Sequence, residues 1–346
     1  MQGTAQKLIP VDGILFGRPF QTKVDHELAK TMLTNRDDSS VIQLFSDYNT
    51  RKISTETLSE IGQKYSPDVA TLFFVEKIYE QDKNKRTQNY YLSGIDTSFS
   101  GDLEQQLSFL QNYYIVFVPG LGHKHIEGAN FLDQRRLLDS AGISCEMIQI
   151  HEGGLIEENA DIVARRVDEL SKLHKNIIVI SVSKGGLETA RAFEMLSNAE
   201  NISSIKAWIN VCGILKGSPV ADLWLPPLKR WWLSCGLFCI GKKVDLKALL
   251  MDISYSRCRK KYKTLKIPSE IITINLIAAP LAQLKKNKKI PIPNDGFSPL
   301  ADLITEDGIV VIEAGLDHFL RGIDLNKRMA VLLRYIVDQV NNSTIN

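Results

Sequence analysis

Residues 176–190 constrain the fold more than any other stretch, because they combine a strand, a sharp turn and the start of a helix. The apolar run at 177–182 predicts a buried parallel strand. After Ser183, Lys184 and two glycines, the apolar spacing becomes that of a helix. A serine on a sharp strand-to-helix turn, with glycine two places later, is typical of a nucleophile elbow, although serine replaces the first glycine of the usual G-x-S-x-G pattern. The alternative is an ordinary turn that carries a surface serine.

The chain around this stretch alternates predicted strands and helices, which is typical of a parallel sheet with helices on both faces. The alternation begins near residue 113, is interrupted at about 215–268, and ends with a helix at 320–341. Residues 1–110 instead carry mostly helical patterns. We therefore expect an N-terminal helical extension at 1–110 and an α/β domain at 111–346. The predicted strands lie at 113–118, 143–150, 177–182, 205–211, 271–278 and 308–313, with helices at 127–140, 156–173 and 185–198.

The composition is that of a globular protein with a sizeable core, since 44% of the 346 residues are hydrophobic and 24% are charged. No run approaches the roughly 18 to 20 apolar residues that a membrane-spanning helix needs. The N-terminus lacks the apolar segment of a secretory signal. The five cysteines have no disulfide-framework spacing, which favours a reducing compartment. We expect a cytoplasmic or peripheral membrane protein.

Polar groups follow several of the predicted strands, at the edge where functional residues gather in doubly wound sheets. They are Ser183, the Pro119-Gly120-Leu121-Gly122 segment, Asn294-Asp295-Gly296 and Asp317-His318. A serine hydroxyl is a weak nucleophile and needs a base that a carboxylate orients. Of the six histidines, only His318 follows Ser183 in the chain. We therefore predict that His318 is this base, the alternative being an exposed loop residue.

Together these motifs resemble the α/β-hydrolase family, and in particular its lipases and esterases, over about residues 113–338. In that family the chain order is nucleophile, acid, histidine. The resemblance implies the triad Ser183, Asp295 and His318. Asp295 lies some way beyond its strand, so Asp302 and then Asp222 are alternatives for the acid. Asp317 adjoins the base and is expected to hold its turn.

The resemblance also implies an oxyanion hole made by two backbone N–H groups, those of Leu121 and Lys184. His123 and His125 follow the first of these residues, and they either line the substrate site or are exposed. Neither a metal nor an organic cofactor is implied. Cys235 and Cys239 are interpreted as packing residues, since they have no nearby Cys or His partners.

The interruption at 215–268, here called the insertion, has the position of a lid over the active site in this family. Residues 216–289 carry sixteen Lys and Arg against four acidic residues, while the remainder of the chain is acidic. Aromatic residues beside such charge favour contact with an anionic membrane surface. The alternative is a helical cap with a small core, and nucleic acid is not expected because no recognition motif is present. The aromatic residues expected to touch substrate or lipid are Trp224, Trp231, Trp232 and Phe238.

The sequence therefore predicts a serine hydrolase that cleaves carboxylic esters, with acyl lipids as the expected substrates. A thioesterase or a polyester depolymerase would use the same triad. The alternative from another class is a non-catalytic protein that binds a membrane or a partner, which the incomplete elbow motif and the basic insertion favour.

Overall fold

The computed structural model describes residues 8–97, 103–126, 128–229, 245–282 and 290–345. Within these ranges, two strands form an N-terminal hairpin and six form a sheet. The hairpin strands are β1 (Ile9–Leu15) and β2 (Arg18–Val24), and the sheet strands are β3 (Tyr114–Val118), β4 (Cys145–Met147), β5 (Ile177–Val182), β6 (Ile205–Val211), β7 (Ile272–Ala279) and β8 (Ile309–Ala314).

All neighbouring strands of the sheet run parallel, in the order β4-β3-β5-β6-β7-β8. The helices connect and cover the strands, so the predicted parallel sheet with helices on both faces is confirmed. The helices are α1 (Glu27–Thr34), α2 (Ser39–Tyr48), α3 (Thr55–Lys64), α4 (Pro67–Tyr79), α5 (Asp82–Thr97), α6 (Leu132–Ser140), α7 (Ile156–Leu173), α8 (Lys184–Met195), α9 (Pro219–Trp224), α10 (Leu246–Asp252), α11 (Tyr255–Lys261) and α12 (Leu325–Ile345).

The two faces of the sheet have separate cores, because successive residues of a strand point to opposite sides. In β5, Ile177 and Val179 pack against α7 and α8. Ile178 and Ile180 pack on the other face, with residues of α6 and α12. This alternation explains why β5 is apolar along its whole length. Both of its faces are buried.

The N-terminal region covers the β8 edge of the sheet. Helix α5 lies along β8, where the Asn84 side chain accepts a hydrogen bond from Val310 N at 2.8 Å. Gln88 accepts from Ile312 N at 2.8 Å and donates to Ile312 O at 3.2 Å. These side chains satisfy backbone groups that an edge strand would otherwise leave open to another chain. The division near residue 110 stays a prediction.

The hairpin at the start of this region differs from the predicted helical pattern. Its strands are antiparallel and pair Ile9 with Val24 and Leu15 with Arg18. Phe16 and Gly17 form the turn, with φ angles of 54° and 73°. Positive φ at both central residues matches the right-handed twist of a two-residue hairpin. The structure therefore places a β hairpin in a region predicted to be mostly helical.

The insertion contains three short helices in its described part, α9, α10 and α11. The Asp302 carboxylate accepts hydrogen bonds from Thr55 of α3 and Tyr255 of α11, both at 2.6 Å. The C-terminal part of the insertion is thereby attached to the N-terminal region. Trp231, Trp232 and Phe238 lie outside the described residues, as do Cys235 and Cys239. None of the described helices has both the length and the apolar composition that crossing a membrane requires.

Candidate active site

Ser183 follows β5 directly and stands on a strained turn, with φ 54° and ψ −122°. Its backbone N–H donates to Val211 O at 3.1 Å, and its carbonyl accepts from Gly186 N at 3.0 Å and Ile214 N at 3.1 Å. A non-glycine residue at positive φ costs free energy, so such a turn persists only where its surroundings hold it. The hydroxyl does not cap α8, which begins at the next residue. The turn instead directs the side chain away from the helix.

Each small residue of the motif is explained by a different contact. A Cβ on Gly185 would lie 2.5 Å from Pro119 O, so glycine lets α8 approach the loop after β3. Ser181 replaces the first glycine of the usual pattern and is fully buried. Its hydroxyl accepts a hydrogen bond from Trp208 Nε1 at 2.8 Å. The departure from the G-x-S-x-G pattern is therefore accommodated by a specific partner.

Three residues distant in the chain meet at the carboxyl edge of the sheet. His318 Nε2 lies 3.0 Å from Ser183 Oγ. On the other side of the ring, His318 Nδ1 lies 2.5 Å from Asp295 Oδ2. His318 is 6% exposed and Asp295 is fully buried. Ser183, His318 and Asp295 thus form a continuous hydrogen-bonded chain, and this is the arrangement in which an imidazole can take a proton from a serine.

Asp295 is fixed by the turn that carries it. Its Oδ1 accepts from Phe297 N at 2.9 Å and Ser298 N at 2.8 Å, which leaves Oδ2 for the imidazole. His318 N also donates to Asp295 O at 2.8 Å, so backbone and side chain hold the two residues together. The Phe297 ring packs on the imidazole with centroids 4.6 Å apart. These contacts restrict both the rotation and the position of the ring.

The other candidate carboxylates have different partners. Asp302 binds Thr55 and Tyr255, as described above. Asp222 accepts hydrogen bonds from the Ser254 hydroxyl and from Ser256 N, the latter at 3.0 Å. Asp317 accepts from Phe319 N at 3.1 Å and holds the turn of the histidine. Of the acids named from the sequence, the structure brings only Asp295 to the imidazole.

The two predicted oxyanion donors lie on neighbouring segments beside Ser183. Lys184 is the first residue of α8, and Leu121 follows Gly120, whose added Cβ would lie 3.3 Å from Ser183 Cβ. Within the described part of the chain, neither backbone N–H donates a hydrogen bond. Both remain available to a developing oxyanion.

The two histidines after this loop do not line the cavity at the serine. His123 is 4% exposed. His125 is exposed, with Nε2 at 3.9 Å from Glu152 Oε1. Among the described residues, neither histidine is thus part of the cavity lining, and a contact of this pair with substrate stays a prediction.

A buried ion pair that the sequence patterns did not suggest lies behind the elbow. Lys184 Nζ donates to Glu188 Oε1 and, at 2.9 Å, to Gly154 O. Asn159 Nδ2 donates to the same Glu188 oxygen at 2.7 Å. Burial raises the pKa of the Glu188 carboxyl above its ordinary value, and the Lys184 ammonium opposes that shift. The pair joins the first turn of α8 to the loop before α7.

Lys184→Met is expected to lower the free energy of unfolding by about 3–5 kcal/mol, because it leaves the Glu188 carboxylate buried without its counter-ion. The pKa of Glu188 then rises further, so the variant loses stability as pH rises through that pKa. Urea unfolding at pH 5 and pH 8 measures both effects. The double variant Lys184→Met/Glu188→Gln keeps the acceptor for Asn159 and should recover most of the loss. Equal stability of the wild type and Lys184→Met at both pH values would contradict the expectation that this ion pair stabilises the fold.

A cavity of about 270 Å³ opens at Ser183 and is lined almost entirely by apolar side chains. It is bounded by the loop after β3, by β5, β6 and β7, by α12 and by the insertion. Trp224 of α9 lines it and is 38% exposed, and its contact with substrate stays a prediction. Trp231, Trp232 and Phe238 lie outside the described residues.

Cys212 lies beside the triad, and the sequence patterns did not single it out. Its sulfur, an Asp295 oxygen and a His318 nitrogen lie within 4.8 Å of one another. His318 Nδ1 and Asp295 Oδ2 lie 2.5 Å apart, which is a short hydrogen-bond distance. Two ligands on a tetrahedral zinc ion stand about 3.3 Å apart. The shorter distance between His318 and Asp295 therefore fits a hydrogen bond between them. Burial raises the pKa of the Cys212 thiol well above its ordinary value, and the Asp295 carboxylate adds to the shift.

The chain has an α/β-hydrolase fold that carries a Ser-His-Asp arrangement. The features that define it are the order of the strands in the sheet, the serine turn after the third sheet strand in chain order, and the histidine that follows the last sheet strand. No family model and no curated protein matches the chain in sequence. Solved structures do match it. A metagenomic carboxyl esterase is 19% identical, with a TM-score of 0.50 over 66% of this chain and 76% of its own.

Two further structures are similar at lower TM-scores. The mature form of a lipase from Bacillus licheniformis is 16% identical, with a TM-score of 0.46 over 65% of this chain and 92% of its own. The phospholipase PlaB from Legionella pneumophila is 12% identical, with a TM-score of 0.46 over 65% of this chain and 60% of its own. At such identities the similarity to the carboxyl esterase concerns the fold, and the chain has the α/β-hydrolase fold.

Proposed function

We propose that this chain is a serine hydrolase that cleaves carboxylic esters. The observation that carries the proposal is the spacing of the triad atoms, 3.0 Å from Ser183 Oγ to His318 Nε2 and 2.5 Å from His318 Nδ1 to Asp295 Oδ2. This hydrogen-bonded chain ends at the cavity, so an ester bound there would meet the serine hydroxyl. Ester hydrolysis needs these groups in this order.

In this mechanism Ser183 Oγ attacks the acyl carbonyl while His318 Nε2 takes the hydroxyl proton. The backbone N–H groups of Leu121 and Lys184 stabilise the resulting oxyanion. The imidazolium then gives the proton to the leaving alcohol, and an acyl-serine remains. Water, deprotonated by His318, attacks the acyl-serine, and the acid leaves with Ser183 reprotonated. Asp295 keeps the imidazole in the tautomer that both halves of the reaction require.

The substrates proposed are acyl esters, with lipids among them, because the cavity at Ser183 is apolar. The metagenomic protein with a similar fold is described as a carboxyl esterase, which agrees with the proposed class of substrates. A thioester or a polyester could react by the same steps, and comparing oxygen esters with thioesters of one acyl group distinguishes them. The triad favours an enzyme over the non-catalytic alternative.

Labelling with a fluorophosphonate tests the proposal directly, because only an activated serine reacts quickly with it. We expect stoichiometric labelling of Ser183, found by peptide mass spectrometry, together with turnover of p-nitrophenyl esters. If the protein is not labelled and hydrolyses none of these esters, the result favours the non-catalytic alternative.

We also propose that the mouth of the cavity contacts a membrane surface. Trp224 is 38% exposed there, and Leu228 follows it in the insertion with 72% of its surface exposed. The Arg321 guanidinium lies 4.6 Å above the ring of Phe319, another residue of the mouth. Exposed apolar side chains beside cations suit the boundary between lipid headgroups and acyl chains. This contact would make the protein peripheral to a membrane.

Flotation with phosphatidylcholine vesicles, with and without phosphatidylserine, measures this contact. Leu228→Glu is expected to weaken binding by about tenfold, because it removes an apolar side chain from the interface. Leu173→Glu is the matched control, since Leu173 is 73% exposed at the far end of α7, away from the cavity mouth. Equal flotation of the two variants would contradict the proposed contact surface. Equal binding to both vesicle types would contradict a contribution of anionic lipid to this contact.

A further inference from the structure

The cavity at Ser183 extends in two directions. One part reaches toward the insertion and is lined by Val220, Trp224 and Leu250. The other part, here called the sheet wing, descends between the sheet and α12. The sheet wing is lined by Ile180, Ile209 and Leu276 of the strands and by Leu325, Met329 and Leu332 of α12.

The depth of the sheet wing can be read from both of its walls. Ile180 precedes Ser183 by three residues, which is about 10 Å along a strand. On the opposite wall, Leu325 and Leu332 are seven residues apart, which is also about 10 Å along a helix. Helix α12 runs back from the carboxyl edge of the sheet, because Arg328 contacts Glu313 near the end of β8 whereas Tyr335 contacts Thr87 of α5, which lies along the middle of β8. Its later residues therefore lie deeper. Both walls therefore give a depth of about 10 Å for the sheet wing.

The wing has a closed floor. Ile180 pairs with Ile209 on the neighbouring strand, so these two side chains lie at one level of the sheet. Leu332 faces them from α12 and is 1% exposed. One layer below, Ile178 and Ile336 are fully buried in the same core. Of the described residues, none deeper than this floor lines the cavity.

The walls determine what the sheet wing can hold. Its side wall contains Gln134, whose amide nitrogen donates to Asn326 Oδ1 at 2.7 Å and joins α6 to α12. Lys184 also lines the cavity, but its ammonium group is directed to Glu188 and Gly154. Burying an ionised group against such apolar walls would be costly, whereas methylene groups gain by it. The wing therefore suits an uncharged, unbranched hydrocarbon chain.

We propose that the sheet wing binds the acyl chain of the substrate, and that Ile180, Ile209 and Leu332 limit this chain to about eight carbon atoms. The limit follows from the depth, because an extended chain advances about 1.2 Å per bond and thus about eight bonds in 10 Å. The part toward the insertion receives the leaving alcohol. This inference rests on the proposed ester hydrolase and names its substrate class as medium-chain acyl esters.

A series of p-nitrophenyl esters from acetate to palmitate tests the limit. For the wild type, kcat/KM is expected to rise up to about fourfold per added methylene and to stop rising near octanoate. Leu332→Ala should move the optimum to longer chains and Leu332→Phe to shorter ones. If either variant fails to fold, Met329→Phe narrows the same wing and should also shorten the optimum.

Val220→Phe is the control in the other part of the cavity. It is expected to change the preference among octanoate esters of different alcohols while the acyl optimum stays near eight carbons. A wild-type rate that keeps rising to palmitate, or an optimum that moves with Val220→Phe and not with the Leu332 variants, would overturn the inference. In those cases fluorophosphonate labelling still occurs. Its loss, together with the loss of all turnover, would instead reject the proposed hydrolase.

Discussion

Ser183→Ala is expected to lower kcat for ester hydrolysis by about 10⁴- to 10⁶-fold, because it removes the hydroxyl that forms the acyl intermediate. Alanine keeps the Cβ of serine, so the backbone strain at φ 54° is unchanged. The hydroxyl caps no helix, and its hydrogen bond is to His318, so stability should change little. Steady-state kinetics with p-nitrophenyl octanoate and fluorophosphonate labelling measure the loss, and circular dichroism checks the fold.

Ser181→Ala is the matched control, two residues earlier and still within β5. It removes the acceptor of the buried Trp208 Nε1–H, which should cost about 1–3 kcal/mol of unfolding free energy. Labelling at Ser183 should persist in this variant. A Ser183→Ala protein that keeps wild-type turnover, or a Ser181→Ala protein that alone loses labelling, would contradict the assignment of the nucleophile.

The triad could be predicted because each member follows a strand of one parallel sheet. The carboxyl ends of parallel strands share an edge, so Ser183 and His318 were expected to meet although they are 135 positions apart. The acid was harder to choose. Asp295 lies beyond a long connection after β7, and spacing alone left Asp302 and Asp222 open. The choice depends on which loop folds over the imidazole, and that is a tertiary property.

Other features could not be predicted from local patterns. The hairpin of β1 and β2 turns at Phe16-Gly17, which lacks the Asn-Gly or Asp-Gly sequence that marks most two-residue turns. The Lys184–Glu188 pair reads in sequence as an ordinary i, i+4 pair on a helix surface. Only the packing of α8 against α7 buries it. The floor of the sheet wing likewise depends on the register of β5 against β6, which the sequence does not encode locally.

Asp295→Asn is expected to lower kcat by about 10⁴-fold while the protein stays folded. One oxygen of Asp295 accepts from the backbone N–H groups of Phe297 and Ser298, and the other contacts His318 Nδ1. Asparagine can keep an oxygen toward the backbone amides, and it then presents its NH₂ group to the imidazole. The ring must accept at Nδ1 and carry its proton on Nε2. In that tautomer Nε2 cannot take the proton of Ser183.

The alternative acids provide the controls for this prediction. Asp302→Asn and Asp222→Asn remove carboxylates whose partners are Thr55 and Tyr255 in one case and serines of the insertion in the other. Both variants should keep kcat within about threefold of the wild type, because neither carboxylate contacts the imidazole. Fluorophosphonate labelling rates should fall with kcat in Asp295→Asn alone. A loss in Asp302→Asn that equals the loss in Asp295→Asn would mean that the reactive state orients His318 by a different carboxylate.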